Sequence, residues 1–73
     1  MRILIVEDDA PLARSIVALL KGAGHAVDHV ARGEDALMVL ATEPYALVVL
    51  DVGLPDIDGF TILQTLRRQG NRV

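Results

Sequence analysis

Two short, unbroken runs of aliphatic residues constrain the fold of this chain more than any other feature. They are Arg2–Val6, which is wholly aliphatic after its arginine, and Leu47–Leu50. Neither approaches the ~20 residues that a membrane-spanning helix needs. Such runs have no polar face, and they are typical of strands buried on both sides in a parallel sheet. We therefore predict an α/β protein in which both runs lie near the centre of the sheet.

A helix is predicted after the first strand. Asp8 or Asp9 can cap its N-terminus, Pro11 is tolerated in its first turn, and Gly22 marks its end. The half-polar run that follows, Ala26–Val30, predicts an edge strand. The buried stripe of the helix is predicted from apolar residues at helical spacing, which are Leu12, Ile16, Leu19 and Ala23.

Two further helices complete the pattern. The second begins at Gly33 and ends before Pro44. The third follows Asp58, a candidate N-cap, and ends near Gly70. Apolar spacing predicts that the buried residues are Ala36, Leu37, Leu40 and Ala41 in the second helix, and Phe60, Leu63 and Leu66 in the third.

Three successive strand–helix units predict a parallel sheet with right-handed crossovers. The two fully apolar strands should be neighbours, with the half-polar strand outside the first, so the predicted strand order is 2-1-3. The path from the second strand to the third then reverses direction across the sheet. Open α/β sheets bind ligands in the crevice at such a reversal, beyond the carboxyl ends of the strands.

Three acidic residues are predicted to meet at that crevice. Glu7 and Asp8 directly follow the first strand, Asp51 follows the third, and adjacent parallel strands lie about 4.8 Å apart. Carboxylates this close repel one another unless a cation neutralises them. Oxygen ligands without sulfur or histidine favour Mg²⁺ or Mn²⁺. An aspartate can also accept a phosphoryl group, and Asp51 at a strand tip is the best-placed candidate.

Acidic residues beside helices also have a purely structural interpretation. The first acidic cluster could serve only the N-terminus of the first helix, and Asp56 and Asp58 are interpreted as a turn residue and a helix cap. Asp51 has no comparable structural role, because it ends four consecutive buried aliphatic residues. The two acidic clusters together therefore favour the functional interpretation.

Composition excludes several other classes of protein. The chain has no cysteine, which excludes disulfides and thiolate metal sites. Its formal net charge of −3 argues against a free-standing nucleic-acid binder. No signal peptide is recognised, because the first apolar run is short and leads directly into acidic residues. We therefore expect a cytoplasmic protein without a membrane segment.

Three motifs along the chain form a specific combination. They are Ile3–Pro11 (ILIVEDDAP), Gly33–Leu37 (GEDAL) and Leu50–Phe60 (LDVGLPDIDGF). The last contains a strand-end aspartate, with proline four and glycine eight residues further on. Together they resemble the receiver domain of bacterial two-component response regulators over the whole chain. The end of the third helix, Leu66–Gly70, is similar to that of members with a winged-helix DNA-binding domain.

The resemblance implies a partial flavodoxin-like receiver fold and a set of site residues. Asp51 would accept a phosphoryl group from a phosphohistidine of a sensor histidine kinase, and Pro55 and Gly59 would shape the adjacent loop. Such a domain assists its own phosphorylation but is not usually counted as an enzyme. DNA binding would belong to a C-terminal effector domain. The implied Mg²⁺ ligands are Asp8 and Asp51 directly, Glu7 through water, and the backbone carbonyl of Gly53.

The family fold has five strand–helix units, and this chain matches the first three. The resemblance therefore identifies residues 1–73 as the N-terminal part of a receiver domain. It would lack the serine or threonine of the fourth strand, the lysine of the fifth, and the effector domain. Leu47–Val52 would then form an unpaired apolar edge, which favours strand addition. We predict a homodimer or a domain-swapped oligomer through this edge.

Two alternatives to a phosphoacceptor stay open. The chain could be a receiver fragment that cannot switch and acts only as an oligomerising interaction module. It could also be a Mg²⁺-dependent aspartyl phosphatase. Those enzymes usually carry a second aspartate two residues after the nucleophile as the general acid. This chain has Gly53 there, which argues against the phosphatase.

Overall fold

The computed structural model describes residues 1–73 as three parallel strands alternating with three helices. In chain order these are β1 (Arg2–Val6), α1 (Ala10–Gly22), β2 (Ala26–Val30), α2 (Gly33–Thr42), β3 (Leu47–Leu50) and α3 (Gly59–Arg68). The strand order is β2-β1-β3, and both strand pairs are parallel. The predicted α/β class and 2-1-3 order are confirmed. None of the three helices combines the length and apolarity needed to cross a membrane.

The central strand β1 divides the core between the two faces of the sheet. Its four aliphatic residues are at most 1% exposed, and successive side chains point to opposite faces. Ile3 and Ile5 pack with Val27 on the side of α1. The opposite side holds the larger cluster with α2 and α3, which consists of Leu4, Val6, Ala36, Leu40, Leu54, Ile62 and Leu66. The sheet is thus the middle layer of three.

The predicted buried face of α1 is wrong in part. Leu12 and Leu19 are 47% and 74% exposed, and Ala23 is exposed as well. The helix carries two overlapping apolar stripes that share Ile16, so helical spacing does not decide which stripe meets the sheet. The side chains that pack toward the sheet are Ala13, Ile16, Val17 and Leu20.

The predicted faces of α2 and α3 are also only partly right. The residues confirmed as buried or half-buried are Ala36, Leu37, Leu40 and Leu66, whereas those found exposed are Ala41, Phe60 and Leu63. In α3 the buried side is formed by Gly59, Ile62 and Leu66. These positions recur every three to four residues along one face of a helix. Ile62 and Leu63 both fit helical spacing with Leu66, so the pattern of apolar residues does not decide which of the two is buried.

The prediction that both aliphatic runs are buried near the centre of the sheet is wrong for β3, which lies at the edge and carries exposed aliphatic side chains. No strand pairs with its outer side, and Leu47 and Val49 are 44% and 38% exposed. Free backbone groups beside exposed aliphatic residues favour the addition of another strand. Self-association through this edge stays a prediction.

We expect the protein to form dimers or larger assemblies at high micromolar concentration, as measured by light scattering. Val49→Lys should shift the population toward monomer, because a charge on an edge strand opposes pairing. Met38→Lys is the matched control, since Met38 is 69% exposed and lies on α2. A wild-type protein that remains monomeric at these concentrations would contradict the expectation.

Candidate functional site

The carboxyl ends of β1 and β3 bring three acidic residues together. The backbone N–H of Asp51 donates to the Val6 carbonyl at 3.0 Å, and that of Glu7 donates to the Val30 carbonyl at 3.1 Å. Both residues are therefore still held by the sheet. Carboxylate oxygens of Glu7, Asp8 and Asp51 all lie within 4.8 Å of one another. The structure thus brings together the three carboxylates that the sequence predicts to meet.

These carboxylates face solvent without a protein cation. Glu7 and Asp51 are half-buried, and Asp8 is exposed. Glu7 Oε1 accepts from the Asp9 N–H at 3.1 Å, and Asp51 Oδ1 accepts from the Gly53 N–H at 3.1 Å. All four ion pairs of the structure involve Arg2 or Arg32 and other acids. Three adjacent negative charges are therefore uncompensated by arginine or lysine.

This donor set fits a hard divalent cation. All three side chains offer oxygen, the donor that Mg²⁺ prefers, and Mg²⁺ commonly uses one or two carboxylates and keeps several waters. The exposure of Asp8 leaves room for such waters. A cation would also relieve the repulsion among the carboxylates. The arrangement therefore suits Mg²⁺ at the end of the sheet.

The loop after β3 is tied closely to Asp51. Leu54 enters the core and is 8% exposed, and the Gly59 N–H donates to the Val52 carbonyl at 3.2 Å. A Cβ on Gly59 would lie 2.7 Å from the Asp51 carbonyl oxygen and 2.9 Å from the Val52 Cα. Only glycine fits there without backbone movement, so Gly59 allows α3 to begin directly beside Asp51. Pro55 lies on the exposed part of the loop.

Asp9 and Asp58 cap the helices that follow them. Asp9 Oδ1 accepts from the Leu12 N–H at 3.1 Å at the start of α1. Asp58 accepts from the backbone N–H and the hydroxyl of Thr61, both at 2.9 Å. These two hydrogen bonds, the backbone one first, lower the pKa of Asp58. The predicted role of Asp58 as a helix cap is confirmed.

Asp56 has a role that the interpretation as a turn residue missed. Its carboxylate accepts from the N–H groups of Gly33 at 2.8 Å and Glu34 at 2.9 Å, at the start of α2. The hydrogen bonds from Glu34 and Gly33 hold the pKa of Asp56 below its ordinary value. The one sequence signal for this contact is Arg32, because a helix that begins after arginine lacks a capping side chain of its own.

Comparison with known proteins identifies the family. The family model of the response regulator receiver domain matches residues 3–73. The transcriptional regulatory protein HprR of Escherichia coli (strain K12) is 42% identical over 67 residues, which are 92% of this chain and 30% of HprR. The fold is that of an α/β protein with a cluster of three carboxylates at the carboxyl ends of β1 and β3, where the chain reverses direction across the sheet. The chain belongs to the response regulator receiver domain family.

Solved structures of receiver domains share this fold. The receiver domain of the Francisella response regulator 1452 matches with a TM-score of 0.93 and 28% identity, over 96% of this chain and 58% of that chain. TrrA of Thermotoga maritima, in complex with Mg(2+)-BeF, matches with a TM-score of 0.89 and 31% identity, over 93% of this chain and 59% of that chain. The chain thus spans under a third of HprR and nearly three-fifths of these solved chains.

Proposed function

We propose that Asp51 accepts a phosphoryl group from a phosphohistidine of a sensor histidine kinase, at a Mg²⁺ site that includes Glu7 and Asp8. The observation that carries this proposal is the cluster of three carboxylates within 4.8 Å of one another. TrrA, a relative in fold and sequence, has been solved with Mg(2+)-BeF and with the histidine kinase ThkA. Those complexes support the same metal and the same class of partner for this chain.

Asp51 has free capacity to act as the acceptor. Its Oδ1 is occupied by the Gly53 N–H, whereas Oδ2 accepts no hydrogen bond from the protein. Attack of Oδ2 on phosphorus forms an O–P bond and breaks the P–N bond of the phosphohistidine. The ring nitrogen keeps the electron pair of the broken bond and takes up a proton. The transfer leaves the phosphoryl group on Asp51 itself, so the proposed role is that of a phosphoacceptor rather than of an enzyme.

The remaining site residues would hold the cation and the loop. Asp8 and Asp51 would bind Mg²⁺ directly, Glu7 would bind it through water, and Gly53 would offer its backbone carbonyl. When bound, Mg²⁺ would neutralise part of the negative charge of the carboxylates and of the incoming phosphoryl group. Backbone hydrogen bonds hold Glu7 and Asp51 at the end of the sheet, which supports these roles.

The wider role follows from the relatives. HprR is a transcriptional regulatory protein, and this chain matches 30% of its length. We propose that phosphorylation of Asp51 controls transcription in the cytoplasm through a DNA-binding region outside these 73 residues. The region described here would receive the signal, and it would contact DNA only through that other region.

Incubation with acetyl phosphate and Mg²⁺ should add one phosphoryl group, measured as a gain in intact mass. EDTA should abolish the gain, because the three carboxylates would then repel the incoming phosphoryl oxygens. Equal uptake with and without EDTA would contradict the metal site. No uptake at saturating Mg²⁺ would contradict a working acceptor in this chain.

A further inference from the structure

One side chain joins the loop after β3 to the N-terminus of α2. Asp56 Oδ1 accepts from the Gly33 N–H at 2.8 Å, and Oδ2 accepts from the Glu34 N–H at 2.9 Å. The Asp56 side chain is only 16% exposed, and Arg32 Nε lies 3.8 Å from its Oδ2. Because both carboxylate oxygens are engaged, the loop cannot shift without breaking bonds at the helix end.

Helix α2 depends on this distant carboxylate for its cap. Its N-cap residue, Arg32, makes no capping hydrogen bond, whereas α1 and α3 are capped by the aspartates just before them. The first N–H groups of a helix need acceptors and are stabilised by negative charge. Asp56 supplies both from a segment that is 23 residues away from Gly33 in sequence. The positions of the loop and of α2 are therefore linked.

Gly33 allows the two segments to approach closely. A Cβ at this position would lie 2.8 Å from Ile62 Cδ1, 3.1 Å from Ile57 Cβ and 3.3 Å from Asp56 Oδ1. The start of α2 therefore packs directly against both the loop and α3. A side chain at Gly33 would press first on Ile62 and Ile57 and would crowd Asp56 Oδ1 as well.

We propose that Asp56 is a positioning residue for the metal site, because its bonds to α2 hold the loop that carries the Gly53 carbonyl. This inference rests on the proposed function, in which that carbonyl is a Mg²⁺ ligand. Only Leu54 and Pro55 separate Gly53 from Asp56, and the side chain of Leu54 is fixed in the core. Release of Asp56 therefore removes the anchor on the C-terminal side of Gly53 that ties the loop to α2, and leaves the loop held by Leu54 in the core and by the bond of the Gly53 N–H to Asp51.

The test is the Mg²⁺ affinity of the wild-type protein, Asp56→Ala and Asp56→Asn, followed through backbone amide NMR shifts during titration. Residues that orient metal ligands typically change metal affinity by about tenfold or more, so we expect about tenfold weaker binding in the alanine variant. The Mg²⁺ affinity of Asp56→Asn should lie between those of the wild-type protein and Asp56→Ala, because the single amide oxygen of asparagine can replace part of the hydrogen bonding. Phosphoryl uptake by either variant should recover at saturating Mg²⁺, because Asp51 is unchanged.

Asp35→Asn is the matched control for the loss of a negative charge. Asp35 lies in the first turn of α2 but makes no hydrogen bond to the loop, so its substitution should leave Mg²⁺ affinity unchanged.

Two outcomes would contradict the inference in different ways. Wild-type Mg²⁺ affinity in both Asp56 variants, together with reduced thermal stability, would show that Asp56 only caps α2. That result would overturn this inference and leave the proposed function intact. A wild-type protein that binds no Mg²⁺ at the three carboxylates would overturn the proposed function as well. If Asp56→Ala does not fold, unchanged affinity in Asp56→Asn is sufficient to overturn the inference.

Discussion

Asp51→Asn is expected to abolish phosphoryl uptake from acetyl phosphate completely. The amide has nearly the same shape as the carboxylate, but it lacks the anionic oxygen that attacks phosphorus. Its carbonyl oxygen can still accept the Gly53 N–H that now bonds to Asp51 Oδ1 at 3.1 Å. The loop should therefore keep its position while the chemistry is lost. Intact mass measures the uptake, and circular dichroism checks the fold.

Asp58→Asn is the matched control for this result. Asp58 lies on the same loop but caps α3 through Thr61, and asparagine is as good an N-cap as aspartate. This variant should take up one phosphoryl group, as the wild-type protein does. Uptake by Asp51→Asn at the wild-type rate would show that the acceptor is another residue.

The strands and their order could be predicted because an unbroken aliphatic run has no polar face, which is typical of a strand in a parallel sheet. β1 and β3 have the bounds that the sequence predicts, and their ends place Glu7 and Asp51 at the same edge of the sheet. A residue at the tip of a parallel strand has a position fixed by the sheet. The acidic cluster could therefore be predicted from strand assignment alone.

The helix faces and the contact of Asp56 could not be predicted in this way. Helical spacing in α1 allows more than one apolar stripe, and packing buries the one that contains Ala13 and leaves Leu19 exposed. Asp56 looks like a turn residue within its own loop, and its partners at the start of α2 become neighbours only after the sheet is assembled. Local patterns report short-range preferences, whereas both of these features are decided by tertiary packing.

The position of Asp51 also depends on the residue that begins α3. Gly59 is buried, and its missing side chain lets the helix start against the backbone of Asp51 and Val52. The same glycine donates its N–H to the Val52 carbonyl at 3.2 Å. The end of β3 and the start of α3 are therefore in direct contact, through which a change in α3 would reach Asp51.

Gly59→Ala should accordingly destabilise the protein and slow phosphoryl uptake. The added Cβ would meet the Asp51 carbonyl oxygen at 2.7 Å and the Val52 Cα at 2.9 Å. Both are backbone atoms, which cannot rotate aside as the end of a side chain can. Overpacking of this kind typically costs about 1–3 kcal/mol in the free energy of unfolding, measured by urea denaturation. Displacement of Asp51 should also lower the uptake rate in the fraction that stays folded.

Gly22→Ala separates this steric effect from the general effect of replacing glycine. Gly22 ends α1, its φ is not positive, and a Cβ there would have no atom within 4 Å. Alanine should therefore stabilise the protein by up to about 1 kcal/mol, since glycine is a poor helix former, and it should leave uptake unchanged. Wild-type stability and uptake in Gly59→Ala would mean that α3 can move away from β3 without disturbing Asp51. Uptake that is reduced in Gly59→Ala but not in Gly22→Ala would instead show that the close approach of α3 holds Asp51 in place.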